Sequence, residues 1–252
     1  VAAGVFKHAY RGNWKLVLEN HNDTVHPAFV HASSIWAARE QPAGEGAYSD
    51  IGVRQMLQNG APWDVWENTG LWVAGYGHSW MGDYHDDRRL VAALDHPAFA
   101  EYRAALERRL GREGATRVLG ERRFNSIVYP NCSFMSQFRQ LRIVHPIAVD
   151  RTAVYAYSFR LKGAPEGILR DTIAFSNVVN GTGSPILTDD LEVYERTQSG
   201  LGARRSDWVY LGRGHGQDVP ERGGALRGGT GTSEIHIRNQ LAAWLEYMTA
   251  EA

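Results

Sequence analysis

The chain of 252 residues carries a formal net charge of −1, with 43% hydrophobic and 22% charged residues. This balance excludes collagen-like and low-complexity chains and fits a folded protein. Near-neutral charge gives no electrostatic reason to expect nucleic acid or an anionic membrane surface as a partner, no apolar run approaches the roughly 18–20 residues needed to cross a bilayer, and no signal peptide is visible. The single cysteine, Cys132, excludes an internal disulfide and any metal site needing two thiolates from this chain. It reads as a small buried residue in a reducing, cytoplasmic setting. The first residue is Val1 rather than Met, and dense chemistry begins within 31 residues, which points to a piece of a longer polypeptide.

In chain order, residues 5–10 alternate loosely and suit a strand, and Asn13 is an N-cap for a helix to about Val25. Residues 41–89, rich in Gly, Trp and Asp, read as loops and short strands around a pocket. From His96 to Leu110 the apolar spacing is helical, with Pro97 in the first turn, and a short second helix covers 112–119. Residues 124–162 read as β, with a hairpin turn at Asp150-Arg151 and the alternation Val154, Ala156, Ser158 against Tyr155, Tyr157, Phe159. A helix follows Pro165, and another starts at Ser184-Pro185 and ends at Gly200. DWVYL at 207–211 is a short strand, the segment 212–231 is a glycine-rich loop, and a helix from Ser233 to Met248 presents Ile237, Leu241, Trp244, Leu245 and Met248 on one side. Hairpin strands followed by helices argue for an α+β fold with an antiparallel sheet. Neither G-x-G-x-x-G nor G-x-x-x-x-G-K-[ST] occurs.

The segment from Asn13 to His31 contains Asp23, His26 and His31 as D-x2-H-x4-H. A spacing of five puts two residues about 140° apart on one regular helix, too far round to share a metal. Pro27 disfavours the α conformation at His26, so a break there would let the two imidazoles converge; with ten histidines in the chain, two metal-free helix-end histidines suit the same spacing. A carboxylate is the natural third member of a two-histidine set. Asp190 lies at the centre of a helix face with Ile186, Leu187, Val193, Tyr194 and Thr197, where an acid is costly unless paired or metal-bound. It is the third-ligand candidate, Asp189 its surface neighbour, and a buried partner for an Arg its alternative role. Asn20 and Asp23 share a face with His26; they are either solvated or support that imidazole, Asp23 by accepting its free N–H. The His78, Asp83, His85, Asp86, Asp87 stretch has ligand-type residues but reads as a charged loop or pocket rim.

NWKLVLEN followed by D-x2-H-x4-H resembles the catalytic-domain signature of Rieske-type aromatic-ring-hydroxylating oxygenase α subunits. TDDLEVYERTQSGL resembles the family's carboxylate-bearing segment, and SEIHIRNQLAAWLEYM its closing helix, so the likeness runs from about residue 5 to 248. The resemblance implies a helix-grip (START-like) fold and one catalytic domain over residues 1–252. It implies mononuclear Fe(II) held by His26, His31 and Asp190, with Asn20 close to the iron and Asp23 on the electron path. It implies O2 and a small aromatic substrate, a homotrimer or an α3β3 assembly with a small β subunit, and a ferredoxin or reductase as electron donor. The family's Rieske [2Fe–2S] domain, which needs two cysteines, is absent from this chain. Arg142, Arg170 and Arg238 are candidate anchors for a substrate carboxylate. A metal-free ligand-binding module and a zinc hydrolase with the same His/His/Asp set remain the alternatives.

Overall fold

The computed structural model describes residues 1–41, 50–82, 99–120 and 123–250. Its strands are β1 (Ala2–Tyr10), β2 (Gly70–Val73), β3 (Ser79–Gly82), β4 (Asn125–Val128), β5 (Cys132–Met135), β6 (Gln140–Ala148), β7 (Arg151–Phe159), β8 (Val219–Pro220) and β9 (Leu226–Arg227). They form one sheet in the order β1-β7-β6-β5-β4-β3-β2-β9-β8, and every pairing is antiparallel. The α+β expectation therefore holds. The β6–β7 turn falls at Val149-Asp150, one residue before the expected position.

The helices are α1 (Trp14–His21), α2 (His26–Val30), α3 (Ala32–Glu40), α4 (Asp50–Asn59), α5 (Trp63–Glu67), α6 (Ala100–Leu119), α7 (Glu166–Asn180), α8 (Leu187–Gly202) and α9 (Ile235–Thr249). The expected division near residue 111 is present: Gly111 interrupts α6 with φ 71 and ψ 164, which only glycine adopts freely. The beginning of the expected helix at His96 and Pro97 lies outside the described residues.

Three expectations are corrected. α4 and α5 occupy part of the stretch read as loops and strands. The inward face of α4 includes Gln55 and Asn59 beside Met56, so its burial pattern is not an apolar periodicity. DWVYL forms no strand; Trp208, Val209 and Tyr210 are exposed. α9 turns a shifted side inward: Ile235, His236, Gln240 and Ala243 are buried, Ile237, Leu241 and Trp244 of the expected stripe are half-buried with Trp244 packed on the core, and Leu245 and Met248 are exposed. The reason lies at the end of α1. His236 Nε2 lies 3.0 Å from the Glu19 carbonyl and Gln240 Nε2 donates to the Leu18 carbonyl at 3.5 Å, so α9 meets late carbonyls of α1.

One apolar core joins Tyr10, Trp14, Leu18, Ile127, Val144, Val154 and Tyr194, tying α1 and α8 to the sheet. A second joins Ala38, Met56, Val178 and Ile186. One row across the sheet mixes polar and apolar side chains. Ser79, Ile127, Ser133, Arg142 and Ala156 stand opposite one another across β3 to β7, and all are buried. On β7 the alternation is as expected, with Thr152, Val154, Ala156 and Ser158 inward.

Candidate metal centre

The Asn13 side chain accepts the Lys15 N–H and starts α1. The helix ends at His21, four residues before the expected end. Asn22, fully buried, returns its backbone N–H to the Asn20 carbonyl and donates its side-chain amide to Ser79 Oγ at 2.9 Å. The Thr24 hydroxyl donates to the Gly231 carbonyl at 2.8 Å. The turn is thus pinned on both sides. Asp23 then starts α2: its Oδ1 accepts the Val25 N–H at 3.2 Å and its Oδ2 the His26 N–H at 2.9 Å.

The break differs from the one expected. α2 begins at His26, with Pro27 in its first turn, and ends within about a turn and a half. His31 departs from the helical path at φ −98, ψ 20, while its N–H still reaches the Pro27 carbonyl at 3.1 Å. Its carbonyl accepts from Ile35 N at 3.0 Å and begins α3. This swerve brings the imidazoles to 5.4 Å between centroids at an interplanar angle of 75°.

The carboxylate comes from the first turn of α8, where Ser184 Oγ accepts the Leu187 N–H at 2.9 Å. Asp190 Oδ1 lies 3.4 Å from His31 Nε2 and 3.9 Å from His26 Nε2. The Asn20 amide donates to that same oxygen at 3.2 Å. One ligand-type atom from each of His26, His31 and Asp190 falls within 4.8 Å of the others. As expected, Asp190 shares its face with buried Leu187 and Tyr194, although Val193 and Thr197 are exposed.

Behind each imidazole stands a second carboxylate. Asp23 Oδ2 lies 3.3 Å from His26 Nδ1, and Asp189 Oδ2 lies 3.4 Å from His31 Nδ1. Asp23 in the supporting place agrees with expectation; Asp189, read as a surface neighbour, is instead the partner of His31. Arg213, from the glycine-rich segment, approaches Asp23 Oδ1 at 3.5 Å and Glu234 Oε1 at 3.5 Å.

The electrostatics follow from burial set against these pairs. Burial works to raise the Asp23 carboxyl, but the His26 hydrogen bond and charge, with help from His236, hold it down at about 2. Burial works to lower His26, yet Asp23 and Asp190 raise it above the ordinary imidazole value. Burial lowers His31, and the charge of His26 adds to that against the pull of Asp190 and Asp189.

His26, His31 and Asp190 open on a cavity of about 90 Å³ shared with Asn20, His21, Asp23, Asn125 and Arg142. Trp66, Met81, Phe124, Met135, Val179 and Ile186 supply its apolar walls. The cavity is mixed in character, because Asn125 and Arg142 of the sheet face it beside these apolar walls. A larger open depression of about 860 Å³ by Arg11, Asp150 and Glu195 lies apart from this cluster.

A family profile described as ring hydroxylating alpha subunit (catalytic domain) matches residues 2–250. The chain belongs to this family. Within the ring-hydroxylating family, the 2-halobenzoate 1,2-dioxygenase large subunit of Burkholderia cepacia is 31% identical over 219 residues, covering 85% of this chain and 43% of that protein. The toluate 1,2-dioxygenase subunit alpha of Pseudomonas putida is 29% identical over 224 residues, covering 88% and 46%. The chain thus spans about half the length of the curated relatives it matches. A solved naphthalene 1,2-dioxygenase mutant bound to phenanthrene superposes with a TM-score of 0.71 at 22% identity, over 99% of this chain and 55% of that one. That likeness shows the fold: an open antiparallel sheet packed with helices, in line with the helix-grip expectation.

The remaining candidates separate cleanly. Arg142 lines the cavity. Arg238 does not: its Nη1 donates to the Leu211 and Arg213 carbonyls at 2.9 and 3.1 Å, and its Nη2 lies 3.5 Å from Asp218. It therefore holds the loop before α9, a correction to its place among substrate anchors. Arg170 is exposed and also stands away from the cavity. His78 accepts the Tyr129 N–H through Nδ1 at 3.1 Å and so has a structural task; residues 83–87 of that stretch lie outside the described residues. Cys132 is half-buried, and burial pushes its thiol up, against the lowering charge of Arg142.

Proposed function

We propose that this chain forms the catalytic domain of a terminal oxygenase that hydroxylates an aromatic compound, by cis-dihydroxylation, using Fe(II) and O2. The observation that carries the reading is the convergence of His26, His31 and Asp190 on one side of a cavity, in a chain of the ring-hydroxylating family. The residues fit the metal. Two imidazole nitrogens and one carboxylate oxygen are the facial donor set of non-haem Fe(II) oxygenases, with positions left open, and the outer nitrogens face carboxylates that set tautomer and basicity. When bound, the iron would supply the activation of dioxygen.

The protein's own part is positioning. Asn20 holds the Asp190 carboxylate through Oδ1, Asp23 and Asp189 fix the imidazoles, and the Trp66, Met81 and Phe124 walls receive the apolar part of a ring. The same reading takes electrons from a Rieske [2Fe–2S] cluster supplied outside this chain, by way of a ferredoxin or reductase, and gives Asp23 the entry role beside His26. It places the domain in a trimer, with or without a small β subunit, in the cytoplasm. Among the described residues no helix is long and apolar enough to cross a membrane.

Elemental analysis after anaerobic purification tests the reading. Wild-type protein should hold about one iron per chain, and His26→Ala or Asp190→Ala should hold less than about a tenth of that. Undiminished iron in either variant overturns the ligand assignment, and stoichiometric zinc in place of iron overturns the oxygenase in favour of hydrolytic chemistry.

A further inference from the structure

Arg142 is a buried guanidinium with no carboxylate in contact. It is 6% exposed, sits in the middle of β6 on the inner face of the sheet, and lines the cavity of the metal centre. Its Nε donates to Ser133 Oγ at 3.0 Å and its Nη2 to Asn125 Oδ1 at 2.7 Å, both neutral acceptors. Among the described residues no carboxylate forms an ion pair with it. Asn125 is itself held, donating to the His21 carbonyl, and Ser133 is fully buried. The guanidinium is therefore fixed in direction by two of its five N–H groups, which leaves three for the cavity.

A buried cation of this kind is costly. Taking a guanidinium out of water without a counter-charge is offset only partly by neutral hydrogen bonds. Its neighbours on the same row are Ser133 and Ala156, where small or apolar side chains suffice. His8 and His21 stand in its field, and burial, with Arg142 second, lowers both imidazoles, so they stay neutral beside it. The acidic groups of the cavity, Asp23 and Asp190, belong to the metal centre. The cavity, at about 90 Å³, lies below the roughly 300–1,000 Å³ of drug-sized pockets and suits a small guest.

We infer that Arg142 is the anion anchor of the cavity and that the aromatic substrate carries a carboxylate gripped by its free N–H groups, with the ring between Arg142 and the His26/His31/Asp190 cluster. The inference rests on the proposed oxygenase reading and deepens it by naming the substrate class. An Arg fork matches a carboxylate in two parallel hydrogen bonds, so it fixes orientation as well as charge. The anchor on β6 and the metal ligands on α2, His31 and α8 would then decide which carbons of the ring face the metal.

The test is equilibrium binding of benzoate and of its neutral isostere benzamide to the iron-loaded full polypeptide, followed by calorimetry at pH 7. Wild type should bind benzoate at least about tenfold more tightly than benzamide, the scale of a charge-assisted hydrogen bond. Arg142→Gln should abolish that preference, with benzamide affinity within about threefold and iron content unchanged. Ser133→Ala, which frees the guanidinium without removing it, should weaken benzoate several-fold and leave benzamide alone. Equal affinity for the two probes in wild type, or a preference that survives Arg142→Gln, overturns the anchor; the wild-type comparison decides even if that variant fails to fold. An Arg142-dependent benzoate preference in protein that holds no iron would leave the anchor standing and sink the oxygenase reading. Iron-dependent hydroxylation of neutral arenes without any preference would do the reverse.

Discussion

Replacing Asp23 by Asn tests how much the metal centre owes to a residue that is not itself a ligand. The two carboxylate oxygens have separate duties: Oδ1 takes the Val25 N–H and faces Arg213, while Oδ2 takes the His26 N–H and faces His26 Nδ1. An amide has one oxygen for these two places. If it faces His26, the NH2 group meets the Val25 N–H and the Arg213 guanidinium. If it faces Val25, the NH2 group meets the His26 N–H and donates to Nδ1, which moves the imidazole proton to Nε2, the nitrogen 3.9 Å from Asp190. Either way a donor faces a donor. The carboxyl is held at about 2 in the fold against about 3.9 for a free Asp, worth roughly 2 kcal/mol. For a depressed carboxyl that stability is present above the unfolded value and is lost as pH falls through about 2, so all of it is at stake at pH 7. Asp23→Asn should therefore lower the metal-free urea-unfolding stability at pH 7 by about 2 kcal/mol, and iron affinity, measured by chelator competition, by about 10- to 100-fold. Iron affinity within threefold of wild type, with an unchanged unfolding midpoint, would refute the reasoning.

Two predictions concern the fold around the site. Burial, followed by Arg142, lowers His8 to about 4, and burial raises Glu19 to about 7 against the pull of Lys15. His8 therefore costs stability as pH falls from its unfolded value through about 4, whereas Glu19 adds stability as pH falls from about 7 toward its own unfolded value. The two slopes oppose each other at up to about 3 kcal/mol each; Glu19→Gln should steepen the loss of urea stability between pH 7 and 5, His8→Gln should flatten it, and superimposable profiles would count against both. A Cβ on Gly231 would stand 2.2 Å from the Trp66 carbonyl oxygen and 2.3 Å from that of Thr69. Gly231→Ala should cost about 2 kcal/mol or more by displacing backbone that also receives the Thr24 hydroxyl, and should lower iron content with it; a variant as stable as wild type would show that this approach is not tight.

What was legible in the sequence depended on whether one element carried the signal. Asp190 stood out because an acid amid Leu187 and Tyr194 on one helix is anomalous, and Asn13 because caps are local. A helical wheel points Asp189 outward because it ignores other elements; the ring it meets, His31, is supplied by a swerve between two short helices. The turn at Asn22 to Val25 was missed for a related reason. Its determinants are Ser79 and Gly231, which are 57 and 207 residues from their partners. α9 departs from the apolar pattern in part, since Trp244 packs on the core as the pattern has it, whereas two α1 backbone carbonyls are met by His236 and Gln240 and leave Leu245 and Met248 exposed. Arg142 and Arg238 were indistinguishable as residue types, and only the register of β6 separates the one facing the cavity from the one that holds a loop.

That register explains how one scaffold hosts two opposite charges. Helix-side elements place three carboxylates, Asp23, Asp189 and Asp190, around two imidazoles, whereas the sheet places a guanidinium on the facing wall. A row of large apolar residues on the inner face of β3 to β7 would fill the space between them. The actual row has one large apolar residue, Ile127, and keeps Ser79, Ser133 and Ala156 small, with Arg142 held among them by neutral acceptors. The field of Asp190 reaches Arg142, whose guanidinium burial brings down to about 10. The two walls therefore sense each other without touching. A cation among the carboxylates would neutralise that field and release Arg142 toward an anion, while an anion on Arg142 would favour the cation in return, since coupling between two sites is reciprocal. If Arg142 anchors an anion as inferred, the polar row makes the cavity selective: it gives up part of a conventional core so that each wall prefers a guest of opposite charge.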